Sequence, residues 1–334
     1  MIGKICGTGA YIPEKIVTNF DLAEIVETND DWIRERTGVA RRHIAVEETT
    51  SQMAAEAARR ALKDAGIHAE EVDMILVATL SPDLICPSIA CEVQRILGAG
   101  KAVCYDMNAA CTGFVFAFQA AQAYIQAGMY HKILVIGAES ISNLIDWNDR
   151  STCILFGDGA GAIVLCAQKE ETEGNFIPVF AAHSDGERGT ALLCRSRYHK
   201  EGSDLYEISK KKATTISEDS YIRMDGQAVF KFAVRCVPEV IREVLEKTKT
   251  SISDVKYFVL HQANRRIVEA AAKRLGADIE KFPMNLEEYG NTSSASIPIL
   301  LDEMNRKKML TRGDTIVLAG FGAGLSWGAV IFEW

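Results

Sequence analysis

The sequence predicts an α/β fold of two similar halves, and three observations point to it. Strand-length apolar runs alternate with helical patterns along the whole chain, the mark of sheets covered by helices. The same helix–turn–strand phrases return in the same order after roughly 180 residues, as a duplicated plan requires. A chain of 334 residues with 48% apolar and 25% charged residues can bury the core of one or two domains and is not compositionally disordered.

In chain order, residues 1–10 enter a strand at once. They carry no basic stretch, apolar run and cleavage site in series, so the chain is expected in the cytoplasm rather than exported. A helix is predicted over 51–65. Its end, Ala61-Leu62-Lys63-Asp64, leads through a polar turn to the apolar strand Met74-Ile75-Leu76-Val77. The echo is Val244-Leu245-Glu246-Lys247 leading to Tyr257-Phe258-Val259-Leu260. Arg95-Ile96-Leu97-Gly98-Ala99 and Lys273-Arg274-Leu275-Gly276-Ala277 are matching helix ends with a Gly stop. Lys132-Ile133-Leu134-Val135-Ile136-Gly137 is matched by Asp314-Thr315-Ile316-Val317-Leu318-Ala319. Further helices are predicted over 111–127, 227–247, 264–275 and 296–307. Wholly apolar strands between helices predict a mainly parallel sheet in each half. The sheets are expected to pack through shared central helices, with the active site at their junction. The charged loop from Gln168 to Gly174 puts the boundary near 168–180, giving halves 1–172 and 173–334. The stretch 185–223, rich in charge and poor in periodicity, reads as a surface loop or flap.

Composition excludes several classes. A net charge of −8 argues against nucleic acid as the main partner, because polyanions need an excess of Lys and Arg. No apolar run is long enough to span a bilayer. The nine cysteines are odd in number and show no CxxC spacing, so neither a zinc knuckle nor a thioredoxin-type motif is predicted. Most read as small buried hydrophobes in a reducing cytosol. No metal site is expected.

Three residues carry candidate chemistry. Cys111 follows a short strand and falls near the start of a helix. Unpaired N–H groups and the helix dipole there are expected to favour thiolate, lowering a pKa that is about 8.5 in free Cys. Ala109, Ala110 and Gly113 leave room for a substrate; the alternative is one more buried Cys. His261 appears at the C-terminal end of the apolar strand 257–260, where ligands of α/β sheets tend to bind; a structural hydrogen-bonding role is the alternative. Asn291, in Tyr289-Gly290-Asn291-Thr292-Ser293-Ser294, serves either a turn or a substrate. Phe156-Gly157-Asp158-Gly159-Ala160-Gly161 lacks the context of a nucleotide loop and reads as strand and turn. Gly320-Phe321-Gly322-Ala323-Gly324 ends a strand; its bare N–H groups suit one side of an oxyanion hole, or a close-packed turn.

Together these motifs resemble the ketoacyl-ACP synthase III family, the initiating condensing enzymes of type II fatty-acid synthesis, which have the thiolase-like duplicated fold. The resemblance covers nearly the whole chain. Its marks are Asp31-Trp32-Ile33 with Arg36-Thr37-Gly38, Ala109-Ala110-Cys111 with Gly113-Phe114, and Phe156 to Gly161. They continue with His261-Gln262-Ala263-Asn264, Gly290 to Ser294, and Phe321-Gly322. The resemblance implies that Cys111 takes an acyl group from acyl-CoA as a thioester. Malonyl-ACP then loses CO2 with His261 and Asn291 donating to the thioester oxygen, and the carbanion attacks the acyl group to give 3-oxoacyl-ACP. It implies an oxyanion hole from the N–H groups of Cys111 and Ala323, no cofactor, and a homodimer. Trp32, Arg36 and Arg150 match positions that hold the CoA adenine. Gln262, Asn264, Arg265, Arg266, Lys273 and Arg274 form the expected docking strip for the acidic carrier protein; Arg266 and Lys273, seven apart, share a helix face.

Three departures bear on substrate. Cys86 stands before Pro87-Ser88 where the family commonly has an aromatic residue that reaches across the dimer and bounds the primer pocket; a smaller side chain points to a longer or branched primer. Ala323 stands where an all-Gly run is usual, and its Cβ is expected to restrict positive φ. The 185–223 stretch is longer than the family's and carries Arg195, Arg197, Lys200 and Lys210 to Lys212, which fits a carboxylated substrate. The alternatives are therefore a condensing enzyme of secondary or biotin-precursor metabolism with a longer, branched or carboxylated primer. Of other classes there remain a cysteine hydrolase, since papain-like proteases also use Cys, His and Asn in that order, and a non-catalytic carrier-binding module.

Overall fold

The structure, a computed structural model, describes residues 1–169, 176–195 and 220–334. Strands are numbered along the chain: β1 (Ile2–Tyr11), the short β2 (Ile16–Thr18) and β3 (Arg41–His43), β4 (Met74–Ala78), β5 (Val103–Met107), β6 (Lys132–Glu139) and β7 (Gly159–Gln168) in the first half. The second half holds β8 (Val179–Ser184), the short β9 (Leu192–Leu193) and β10 (Arg223–Met224), β11 (Tyr257–Leu260), β12 (Thr315–Gly322) and β13 (Ser326–Glu333). The first sheet has the order β1-β7-β6-β4-β5 and the second β8-β13-β12-β11. The shared order is the duplication: β4 answers to β11, β6 to β12, β7 to β13 and β1 to β8. Parallel pairing aligns Met74 with Ile133 in one sheet and Tyr257 with Ile316 in the other, the strands whose sequences echo each other. The edge strand β5 has no counterpart among the described residues.

The fold is thus the duplicated α/β arrangement expected, with sheets more evenly mixed than mainly parallel. Two of four pairings are parallel in the first sheet, β4 with β5 and β4 with β6, and one of three in the second, β11 with β12. The reason is local: β12 reaches β13 through the short turn 323–325, which can join only antiparallel strands.

Helices fill the space between and outside the sheets. The Gly113–Gln126 helix has apolar residues almost all round, which suits an element buried on every side. It packs with the Ser296–Arg306 helix between the sheets, where Phe114, Phe118, Leu300 and Leu301 meet Leu76 and Val135 of the first and Leu318 and Val330 of the second. Alternation in the strands serves the other faces. Ile75 and Val77 turn toward the Thr50–Ala65 and Ile89–Leu97 helices, and Val317 and Ala319 toward the Gly226–Thr248 and Arg265–Leu275 helices. The layers run helices, sheet, helices, sheet, helices. Gly137 lets the second half lie directly on β6: a Cβ there would stand 2.3 Å from the Ser294 carbonyl oxygen. The helix ends read in sequence are present, with Gly98 and Gly276 left-handed after Leu97 and Leu275. Among the described residues no helix is long and apolar enough to cross a membrane.

Candidate active site

Cys111 sits on a single 3-10 turn, Ala110–Thr112, ahead of the Gly113–Gln126 helix. Ala110 holds φ of 46°, a left-handed conformation costly for a residue with a Cβ. The turn is braced from the second half. Thr112 Oγ1 lies 2.9 Å from Ser326 Oγ and donates to the Ser326 carbonyl at 3.1 Å. Gly322 packs so closely that a Cβ there would come within 2.8 Å of Cys111 Cβ. Ala323 follows and does not need positive φ; the left-handed position of this turn is Gly324, at φ 135°, so the expected conflict at Ala323 does not arise.

His261 continues β11 by one residue, its N–H donating to the Ala319 carbonyl at 2.9 Å. Its Nδ1 lies 2.7 Å from Ser296 Oγ, and the Phe321 ring meets it edge-on with centroids 5.2 Å apart. Asn291 is delivered by a parallel bridge to Phe156: its N–H donates to the Leu155 carbonyl at 2.8 Å, and the Gly157 N–H donates to its carbonyl at 3.1 Å. Gly290, at φ 67°, makes this approach possible, since a Cβ would stand 2.8 Å from the Leu155 oxygen. Arg42, fully buried, props the same segment by donating from Nη2 to the Ile154 carbonyl at 2.7 Å. The Asn291 Oδ1 accepts the Ser293 N–H at 2.9 Å, which orients the amide with Nδ2 as the donor left for a ligand.

Cys111, His261 and Asn291, with Phe321 and Gly322, line one cavity of about 610 Å³. Arg36, Lys231, Asn264 and Arg266 line its outer part. A second, apolar cavity of about 50 Å³ opens behind Cys111, walled by Leu80, Ile141, Phe156, Leu192, Leu193, Ile222 and Ala323 among others. Cys111 therefore stands where a wide, cation-rimmed entrance meets a narrow apolar recess.

The electrostatics differ from the sequence expectation. Burial pushes the Cys111 thiol up to about 12; the Ser293 hydroxyl opposes this and the nearby Glu139 carboxyl adds to it. Desolvation thus outweighs the helix start, and the resting group is thiol, not thiolate. Burial also pushes His261 down to about 3, so its imidazole is neutral at pH 7. Behind both lies Glu139, fully buried, its carboxyl raised by burial. It accepts from Ser81 Oγ at 2.6 Å, Ser294 Oγ at 2.8 Å and the Leu80 N–H at 3.1 Å. Sequence reading missed Glu139, Ser293, Ser294, Ser296 and Arg42. The run Ser293-Ser294-Ala295-Ser296 after Asn291 was the one available signal, but Ser293 and Ser294 entered only within the Gly290 to Ser294 motif and Ser296 only as the start of the predicted 296–307 helix.

The other candidates divide. Two guanidinium groups lie over the Trp32 ring, Arg150 at 4.8 Å and Arg36 at 5.8 Å from its centroid, so all three meet at one place. Arg266, Lys273 and Arg274 are exposed on the Arg265–Leu275 helix. Arg265 is half-buried and ion-paired with Glu287 at 3.4 Å. Asn264 caps that helix, accepting from the Arg266 N–H at 2.9 Å, and donates to the Arg36 carbonyl at 3.0 Å. Gln262 corrects the docking strip. It is 1% exposed, and its amide is used inside, donating to the Leu260 carbonyl at 2.7 Å and accepting from the Asn285 N–H at 3.1 Å. Cys86 is exposed and lines neither cavity of this chain. Arg195 is exposed and lines neither; Arg197, Lys200 and Lys210 to Lys212 lie outside the described residues. Among the described residues no group of three His, Cys, Asp or Glu could hold a metal ion.

Residues 105–186 match the family model described as 3-oxoacyl-[acyl-carrier-protein (ACP)] synthase III, and residues 245–334 match the model of its C-terminal part. The chain is 47% identical to the beta-ketoacyl-[acyl-carrier-protein] synthase III of Clostridium acetobutylicum over 331 residues, covering 99% of this chain and 98% of that one. A Clostridium botulinum protein of the same description is 46% identical with the same coverage. The crystal structure of 3-oxoacyl-[acyl-carrier-protein] synthase III from Aquifex aeolicus superposes with a TM-score of 0.90 at 42% identity, over 99% of this chain and 100% of that one.

Proposed function

The chain belongs to the 3-oxoacyl-[acyl-carrier-protein] synthase III family, an acyltransferase family of thiolase-like fold, and from that premise we propose how its residues divide the reaction. Cys111 is the nucleophile. Its sulfur attacks the carbonyl of an acyl-CoA, the CoA sulfur leaves, and the thiol proton departs with it, so the enzyme carries a thioester and CoA is released as thiol. The N–H groups of Cys111 and Ala323 hold the oxyanion of this step. Malonyl-ACP then enters by the same entrance. His261 and Asn291 donate to its thioester oxygen while the carboxylate leaves as CO2, and the carbanion attacks the acyl group on Cys111. The Cys111 sulfur leaves and takes a proton from solvent to return to thiol, and 3-oxoacyl-ACP forms.

The observation that carries this reading is the shared cavity. A thiol, a neutral imidazole and an oriented carboxamide, from three different loops, line one space of about 610 Å³. Neutrality suits the assignment, because an uncharged imidazole and an amide stabilise developing charge as donors. Trp32, Arg36 and Arg150 are proposed to hold the CoA adenine at the rim, and Asn264, Arg265, Arg266, Lys273 and Arg274 to receive the carrier protein. The halves are taken as 1–172 and 173–334, since each supplies one sheet. The chemistry as written calls for no cofactor. A cytoplasmic homodimer is the proposed state.

The recess supports a short primer. Its volume of about 50 Å³ has room for only a few carbons, and among the described residues no charged side chain lines it, which disfavours a carboxylated primer. Incubation with a panel of acyl-CoAs, read by intact mass, followed by malonyl-ACP, tests the whole reading. Acyl adducts on Cys111 confined to short chains, then 3-oxoacyl-ACP, are expected. Hydrolysis of thioester or peptide without malonyl-dependent product would instead restore the hydrolase.

A further inference from the structure

We propose that Ser296 is a positioning residue that fixes the tautomer of His261, so that the imidazole meets the cavity with an Nε2–H donor. The proposal rests on the condensing-enzyme reading of the site and adds to it the group that sets the proton on the ring.

Ser296 Oγ lies 2.7 Å from His261 Nδ1 and also accepts the Gln262 N–H, at 3.4 Å. A hydroxyl has one proton and two lone pairs. With one lone pair taken by Gln262, two arrangements remain. In the first, the Ser296 O–H donates to Nδ1 and the ring proton sits on Nε2. In the second, Nδ1–H donates to Oγ, both lone pairs are used, and the Ser296 proton needs another acceptor. Among the described residues Ser296 Oγ has none besides Nδ1. Ser296 is 2% exposed and His261 1%, so solvent does not replace it, and a buried donor left unpaired is disfavoured. The first arrangement follows. Because Nδ1 is engaged on the Ser296 side and His261 lines the large cavity, it is Nε2–H that faces the substrate. The edge-on contact with Phe321 holds the plane of the ring.

The consequence is a division of labour between the half-reactions. A ring carrying Nε2–H stabilises the enolate of malonyl-ACP but has no lone pair there to take the Cys111 proton. Ser296 should therefore matter to decarboxylation and little to acyl loading. Among the described residues His261 has no carboxylate partner that would favour its charged form, and burial alone holds its imidazole neutral, in keeping with a neutral donor.

The test uses the full-length enzyme labelled with ¹³C and ¹⁵N in its histidines, with His261 signals assigned by difference from His261→Asn. The wild type should show the Nε2–H pattern of nitrogen shifts. In Ser296→Ala the pattern should change to Nδ1–H or a mixture. Decarboxylation of malonyl-ACP by the acyl-loaded variant should then fall about tenfold or more, a share of the roughly hundredfold to ten-thousandfold that a positioned acid–base group contributes. Acylation of Cys111, followed by intact mass, should stay near the wild-type rate, and Ser296→Thr, which keeps the hydroxyl, should recover decarboxylation. An Nδ1–H tautomer in the wild type overturns the proposal, as does an equal loss of both half-reactions in Ser296→Ala. If Ser296→Ala does not fold, the wild-type spectrum and the Thr variant decide. Failure of the underlying reading looks different: no acyl adduct and no 3-oxoacyl product from the wild type, whatever the tautomer.

Discussion

Cys111 and His261 show how burial sets the working state of single residues. With the thiol at about 12 and the imidazole at about 3, the resting pair is neutral, and no ion pair is available to store thiolate. Alkylation by iodoacetamide should accordingly be slow at pH 7 and accelerate with pH up to at least pH 10; a rate that levels off near pH 7 would mean that a thiolate is present after all. Cys111→Ala should give no acyl adduct by mass spectrometry and no 3-oxoacyl product while still releasing CO2 from malonyl-ACP. Asn291→Ala should keep the adduct and lower decarboxylation by about 10²–10³, the loss typical of one oxyanion donor. Gln262 shows the opposite case, a polar residue in a functional motif whose work is internal. Gln262→Ala leaves the Asn285 N–H unpaired in the interior, so it should lower stability by about 1–3 kcal/mol in urea melts. If it weakens carrier-protein binding at unchanged stability, the docking role returns.

At the scale of elements, the strands and helices were legible because their patterns are long and strongly apolar. The predicted 51–65, 227–247 and 264–275 helices match the observed ones within a residue at each end. The turns around the site were not legible, because their shape depends on the other half. Ala110 and Ser293 take left-handed φ, of 46° and 49°, against their own preference, each opening a 3-10 turn at the head of a central helix. Nothing in the local sequence reveals that Gly137 exists to admit Ser294. Gly137→Ala should therefore cost about 1–3 kcal/mol of stability as overpacking and also slow decarboxylation, since it displaces the turn that carries Asn291 and Ser296. A second buried turn gives a pH signature. Asp158 accepts from the Ala45 N–H at 2.8 Å and from Ser142 Oγ at 2.6 Å, yet burial raises its carboxyl to about 6. The folded state then binds a proton between pH 4 and 6 that the unfolded chain, near 3.8, does not, so this group's contribution to stability falls as pH rises through that window. His261, lowered to about 3 from 6.5, acts with the opposite sign: the unfolded chain takes the proton first, and stability falls as pH drops below 6.5. Asp158→Asn removes the first slope only. Its stability, measured by urea unfolding from pH 7 to 4, should fall more steeply on acidification than the wild type's.

Over the whole molecule, the duplication explains why the site lies where it does. Equivalent strand ends of two packed sheets bring Cys111 from one half against His261 and Asn291 from the other, and the seam between them is closed by Thr112 with Ser326 and by Phe156 with Asn291. The repeat was visible in sequence because it is written in apolar runs; the seam was not, because it is written in backbone contacts. The same geometry gives the surface its polarity. The entrance opens beside the Arg265–Leu275 helix, so a carrier protein that reaches Cys111 through its thioester arm must lie near Arg36, Lys231 and Arg266, the cations that line it. On a chain of net charge −8, such a local positive rim attracts an acidic partner that the rest of the surface repels. Arg266→Glu reverses one of these charges, and its guanidinium, 5.1 Å above the Phe230 ring, makes no ion pair within the described chain, so folding should be little affected. The variant should raise KM for malonyl-ACP about tenfold or more at low salt, while acylation of Cys111 by acyl-CoA changes far less, and the difference should shrink at high salt as screening removes the attraction. Parallel losses on both substrates would place the carrier elsewhere and leave Arg266 as part of the general entrance.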